Sequence, residues 1–194
     1  MKKLQILIAA MLISIPALSQ ERSKFLYAEL ADKSVTLYPF YRPFGNNLDP
    51  AVTLGGGIDY KQKGNFTLFQ TAQVTGYATR LIGNGVTLTS SIGYRYGLLS
   101  GLCGEATVGL GTSVFYSSRE IFTMDENGSY STAIPLNAVA VLPVDLLVGY
   151  GGDRVSIYLK YRYMIVAPYT SAMPVLPMSL LGAGVRFSIR STSQ

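Results

Sequence analysis

Residues 154–166 read Arg154-Val155-Ser156-Ile157-Tyr158-Leu159-Lys160-Tyr161-Arg162-Tyr163-Met164-Ile165-Val166. Val155, Ile157, Leu159, Tyr161, Tyr163 and Ile165 fall on one side of this stretch, and Arg154, Ser156, Tyr158, Lys160 and Arg162 on the other. A period of two is the spacing of a β-strand, whereas a helix of 3.6 residues per turn would mix the two sets.

The same alternation recurs on both sides of this stretch. Residues 86–98 set Val86, Leu88, Ile92, Tyr94 and Tyr96 against Thr87, Thr89, Ser91, Gly93 and Arg95. Residues 104–119 oppose Ala106, Val108, Leu110, Val114 and Tyr116 to Glu105, Thr107, Gly109, Gly111 and Ser113. Residues 51–61 and 179–190 divide in the same way, with Gly55, Gly57 and Asp59 on the polar face of the first and Gly182, Gly184 and Arg186 on that of the second. Residues 66–78 and 138–150 are less regular, the latter apolar on its even face with Asp145 on the odd one. Residues 25–42 change phase near Asp32-Lys33, as a β-bulge would make them do. The eight segments, separated by clusters of Gly, Asn, Asp and Pro, predict an all-β fold: an eight-stranded antiparallel up-and-down transmembrane β-barrel.

Composition selects the outward face. A soluble barrel such as a lipocalin is apolar inside and polar outside, and its water-facing set would be rich in Lys and Glu. Here the polar set is mostly Gly, Thr and Ser, which suits a cramped interior, so the apolar set is expected to face lipid. Connection lengths agree with a periplasmic N-terminus. The turns at 62–65, 99–103 and 151–153 are short, and the connections at 43–50, 79–85, 120–136 and 167–177 form the longer, outer set. Aromatic residues sort by depth: Tyr60, Phe66, Tyr94, Tyr96, Tyr150 and Phe187 lie toward the short turns, and Tyr41, Tyr116, Tyr161 and Tyr163 toward the long connections.

The start of the chain fits export. Met1-Lys2-Lys3 precedes an apolar run from Leu4 to Ile15 that is too short for a membrane-spanning helix, and Pro16 and Ala17-Leu18-Ser19 follow. Residues 1–19 therefore read as a signal peptide and residues 20–194 as the outer-membrane barrel; no cysteine near the cleavage site offers a lipid anchor. Without Lys2 and Lys3, 14 basic residues stand against 11 acidic ones with no basic run, so nucleic acid is not an expected partner. Cys103 is alone and cannot form an internal disulfide. The chain has no histidine, which removes most general-base, triad and zinc chemistries. No catalytic residue, cofactor site or metal site is expected.

Two resemblances add to this. Gly182-Ala183-Gly184-Val185-Arg186-Phe187-Ser188-Ile189 resembles the C-terminal signal by which insertion machinery recognises outer-membrane barrels, with Ile189 in place of the usual second aromatic and Arg190 to Gln194 extending beyond it. More broadly, Gly93-Tyr94-Arg95-Tyr96, residues 106–111, Asp125-Glu126-Asn127-Gly128-Ser129-Tyr130, residues 157–163 and Pro174-Val175-Leu176-Pro177 leading into residues 180–187 resemble a family of small, mostly uncharacterised outer-membrane barrels of the Bacteroidota. In that family a histidine is frequent just after the Pro-Val-Leu-Pro segment, where this chain has Met178.

The expected function is a structural or surface-interaction role in the cell outer membrane, as a monomer whose partners are outer-membrane lipid and an extracellular or envelope protein. The alternatives are an outer-membrane enzyme working without histidine, a pore, and a soluble periplasmic barrel binding an apolar ligand. Variable chemistry is expected in the connections, notably 120–136 with Phe122, Met124, Tyr130 and Asp125-Glu126, and 167–177 with Tyr169 and three prolines. Asp125 to Gly128 reads as a plain turn rather than a calcium loop. Gly55-Gly56-Gly57 reads as a close-packed strand rather than a phosphate cradle. Inward charges need partners, and turn counting brings Glu105 close to opposite Arg95 and puts Asp145 diagonal to Lys160, with Asp59 and Arg186 also toward the periplasmic end.

Overall fold

The computed structural model describes residues 23–35, 49–79, 83–99, 101–116, 121–124, 130–133, 136–152, 154–167 and 175–189. Each alternating segment is a strand: β1 (Lys24–Val35), β2 (Pro50–Lys63), β3 (Phe66–Thr79), β4 (Gly83–Leu99), β5 (Leu102–Tyr116), β8 (Leu136–Gly151), β9 (Val155–Ala167) and β10 (Leu176–Ile189). They close into one antiparallel barrel in the order β1-β10-β9-β8-β5-β4-β3-β2, so no strand edge is left unpaired. Two shorter strands, β6 (Ile121–Met124) and β7 (Tyr130–Ala133), form a separate hairpin inside the connection between β5 and β8, which the alternation had not marked. The expected signal peptide, Tyr41, residues 125–129, Tyr169 and the C-terminal extension lie outside the described residues.

At one end of the barrel the strands are joined by tight turns. Gly64 (φ 59°) and Gly101 (φ 85°) hold left-handed conformations that residues with a Cβ rarely adopt, and they make the β2–β3 and β4–β5 reversals possible. The β8–β9 turn is held by the Gly152 N–H donating to the Val155 carbonyl at 3.0 Å. At the opposite end the connections are longer, with one correction. Pairing of β3 with β4 continues to Thr79 and Gly83, so the expected 79–85 connection shrinks to residues 80–82. The bulge expected near Asp32-Lys33 is also absent, since β1 pairs with β10 without a shift as far as Val35 and Met178. Asp32 shares a face with Leu30, yet it is buried because the chain entering β2 covers it. The Asp49 N–H donates to the Asp32 carboxylate at 2.9 Å, and the Lys33 N–H donates to the Asp49 carbonyl at 2.8 Å. Register shifts occur instead at Tyr60 and Leu98, both near the short turns.

The outer wall is apolar from end to end, with Leu26, Leu30, Leu54, Val74, Leu88, Ile92, Leu110, Leu146, Ile157 and Leu159 all exposed. This is the reverse of a lipocalin and suits a wall solvated by hydrocarbon. Phe66, Tyr94, Tyr96, Tyr150 and Phe187 stand exposed on it near the short turns, as the depth sorting predicts, whereas Tyr161 and Tyr163 are only half-exposed and farther along. Inside, large rings fit over glycines. An ideal Cβ at Gly57 would lie 2.2 Å from the Phe25 ring, and one at Gly55 2.5 Å from that of Tyr27. Gly85 gives the same room to Tyr77, and Gly184 to Tyr158. The glycine run of β2 is therefore a packing surface for two aromatic rings, as its reading as a close-packed strand requires.

Candidate functional site

The barrel interior holds the chain's buried chemistry, in layers along its axis. Nearest the short turns are Asp59 on β2, Arg95 on β4, Glu105 on β5 and Arg186 on β10. Arg95 and Glu105 are directly opposed across β4 and β5 and form an ion pair through Arg95 Nε, as turn counting predicts. Arg186 reaches over from β10 to the same carboxylate, with Nη2 2.7 Å from Glu105 Oε2. Arg95 Nη1 also lies 3.3 Å from both oxygens of Asp59. Phe25 sits between the two guanidinium groups, its ring centre 4.7 Å from Arg186 Cζ and 5.2 Å from Arg95 Cζ.

The next layer departs from expectation. Asp145 is directly opposite Arg162, and the two form a bidentate pair at 2.7 and 2.9 Å, with Arg162 Nη1 3.3 Å from the Thr75 hydroxyl on the far side of the barrel. Lys160, the expected partner, is diagonal to Asp145 but pairs with Glu29 of β1 instead. Counting the hairpin about Gly151-Gly152 set Lys160 diagonal to Asp145, where it lies, but did not bring Arg162 opposite that carboxylate, which the pairing of Gly151 with Ser156 does. Glu29 was missed altogether, since β1 meets β10 only when the barrel closes and no turn connects β1 to β9. These four carboxylates and four bases neutralise each other, and each makes an ion pair.

Hydroxyls and amides fill the rest of the middle. The Tyr27 hydroxyl donates to Gln73 at 2.7 Å, Gln73 donates to Thr89 at 2.9 Å, and Thr53 meets Thr75 at 2.9 Å. Toward the long connections the interior becomes apolar, around Tyr77, Phe115, Val141, Met164, Met178 and Leu180. Lys33 lies within this part, 2% exposed, its ammonium 3.1 Å from the centre of the Tyr77 ring and without a hydrogen-bond partner among the described residues.

Within the described barrel, the space enclosed by Tyr27, Phe69, Glu105, Asp145, Lys160 and Arg186 amounts to about 20 Å³, room for a single water. At the short-turn mouth an open, polar cavity of about 610 Å³ is lined by Asp59, Gln62, Asn65, Thr67 and Arg95 and stops at the first charged layer. Among the described residues no group of three or more Cys, Asp or Glu side chains is arranged to hold a metal ion.

No family model matches the sequence, and no curated protein matches it. Solved structures do match. Neisserial surface protein A is similar over 88% of this chain and 98% of its own, at 17% identity and a TM-score of 0.59. The N-terminal β-barrel domain of Pseudomonas aeruginosa OprF covers 85% of this chain and 97% of its own, at 13% identity and a TM-score of 0.52. The outer membrane enzyme PagL covers 85% and 99%, at 12% identity and a TM-score of 0.51. At such identities the likeness is one of fold, and the fold is that of the closed eight-stranded antiparallel barrels of outer membranes. Because that set includes an enzyme as well as a surface protein, the fold does not choose between their roles.

Proposed function

We propose that this chain is an integral outer-membrane protein with a structural or surface-interaction role, a sealed barrel that carries its long connections as the working surface and neither conducts solutes nor catalyses a reaction. The filled interior carries this reading. The side chains of the charged layers reach across the barrel, and the apolar layer around Tyr77, Phe115 and Met178 closes the end that the polar mouth does not. An ion crossing would have to break paired charges and then pass an apolar constriction. The outer-membrane location is supported by the exposed apolar wall, by the aromatic residues near the short turns and by the N-terminal reading as a signal peptide. Membership of the Bacteroidota family rests on the matching segments within residues 86–189.

The surface role is placed on the connection from β5 to β8, whose β6–β7 hairpin stands apart from the barrel sheet. Two measurements test the proposal. In planar bilayers the purified protein should give no stepwise conductance, and discrete steps would overturn the sealed-barrel reading. Replacing residues 121–132 with a short Gly-Ser link should leave insertion and the heat-dependent gel shift intact while abolishing binding to intact-cell surface partners. Retained binding would move the function away from this connection.

A further inference from the structure

The apolar wall is interrupted on β3 and β4. Gln70 and Ser90 both point outward, since their chain neighbours Phe69, Thr71, Thr89 and Ser91 are buried inside the barrel. Ser90 lies four residues from Tyr94, on the aromatic girdle, and six from Asn84 toward the other end of β4. At 3.3 Å per residue and a strand tilt of about 40°, that is roughly 10 Å beyond Tyr94, near the middle of a ~25 Å apolar band. Gln70 lies equally far from Phe66 along β3.

The two side chains form one patch. The Gln70 carboxamide accepts from the Tyr60 hydroxyl and donates from Nε2 to Ser90 Oγ at 3.2 Å. Nε2 has a second hydrogen and the serine hydroxyl a hydrogen of its own, and neither is taken up among the described residues. The wall around them is low. Gly56, Ala72 and Ser90 are directly paired across β2, β3 and β4, a row of small residues between Leu54, Val74 and Leu88 on one side and Ile58 and Ile92 on the other.

Hydrocarbon offers no acceptor for either hydrogen, and lipids carry their polar groups at the two interfaces, so a partner at this depth is the wall of another membrane protein. A second copy of this chain meets the requirement. Every copy inserts in one orientation and sets Gln70 at one depth, so a two-fold axis along the membrane normal brings the patch onto itself. A carboxamide carries both donor and acceptor, and two of them can bond reciprocally across that axis.

We propose that the chain pairs with a second copy of itself through this patch. Gln70 of each copy donates from Nε2 to Oε1 of the other, with the Ser90 hydroxyls beside them, and the low Gly56–Ala72–Ser90 row lets the two walls approach. The pair replaces the monomer expected from the sequence, and it rests on the membrane-barrel reading above.

Two measurements on the full mature chain test it. Sedimentation equilibrium in density-matched detergent should show a reversible dimer, weakened about tenfold by Gln70→Leu, the scale of side-chain hydrogen bonds between membrane segments. The heat-dependent gel shift should persist in that variant, because an outward amide gives way to an apolar side chain. The second measurement leaves Gln70 intact. In phosphatidylcholine vesicles and a Cys103→Ser background, oxidation should link Ala72→Cys into dimers and leave Leu159→Cys, on the opposite side of the barrel, monomeric. A monomer at every concentration, a dimer indifferent to Gln70→Leu, or equal linking at both positions would each overturn the pairing while leaving the membrane barrel in place. A wild-type chain that stays soluble without detergent would overturn the membrane reading and the pairing with it.

Discussion

Glu105 is the carboxylate on which two arginines depend. Its side chain is 2% exposed, and it pairs with Arg95 across β4–β5 and with Arg186 across the interior. Glu105→Gln keeps the volume and removes the charge. Arg186, 9% exposed on its side chain, then loses its ion-pair partner. Breaking a buried pair from one side costs about 3–5 kcal/mol, because the remaining charge is left uncompensated. Arg95 suffers less, since it faces the polar mouth at 18% exposure and keeps Asp59, so its share is on the order of 1 kcal/mol or less. Urea unfolding of the reconstituted barrel, followed by circular dichroism, should therefore show a loss of about 3–5 kcal/mol for Glu105→Gln. In double-mutant cycles the coupling of Glu105 to Arg186 should exceed its coupling to Arg95. Stability within about 0.5 kcal/mol of wild type, or the opposite order of couplings, would refute the shared-carboxylate geometry.

In a second set of cycles Asp145→Asn should couple strongly to Arg162→Met and weakly to Lys160→Met; the reverse would make the diagonal Lys160 the partner of Asp145 and overturn the bidentate pair. Gly57→Ala brings a Cβ against the Phe25 ring and should destabilise the barrel by about 1–3 kcal/mol, a loss that Phe25→Leu should partly relieve; an unchanged midpoint would show that the ring does not lie over Gly57. Cys103, half-buried beside the β4–β5 turn, should react with a membrane-impermeant thiol reagent only after the outer membrane is permeabilised, and labelling on intact cells would invert the orientation.

Much of the barrel was legible because lipid outside and a narrow interior inside impose opposite demands on alternate residues of every strand. The legible charge pair was Arg95–Glu105, whose strands are joined by a short turn that fixes the register. Glu29–Lys160 was hidden because it forms across the closure of the barrel, between residues far apart in sequence. The apolar outer part of the interior was hidden for a different reason. Val139 and Val141 point inward while Ala140 and Leu142 point outward, so both faces are apolar there and alternation carries no contrast. At Asp32-Lys33 the change of phase was real in the sequence, but it reflects a carboxylate capped by the Asp49 backbone rather than an inserted residue.

The claim underlying all of this is that one side of each strand touches hydrocarbon and the other a dry, filled interior. A single-cysteine spin-label scan along β9 in reconstituted vesicles, in a Cys103→Ser background, tests it residue by residue. Labels at Val155, Ile157, Leu159 and Ile165 should collide with dissolved oxygen and not with a water-soluble nickel chelate, while labels at Tyr158, Arg162 and Met164 should meet neither. Collision with the aqueous reagent at the odd positions, or accessibility without a period of two, would contradict the lipid-facing wall and the closed barrel together.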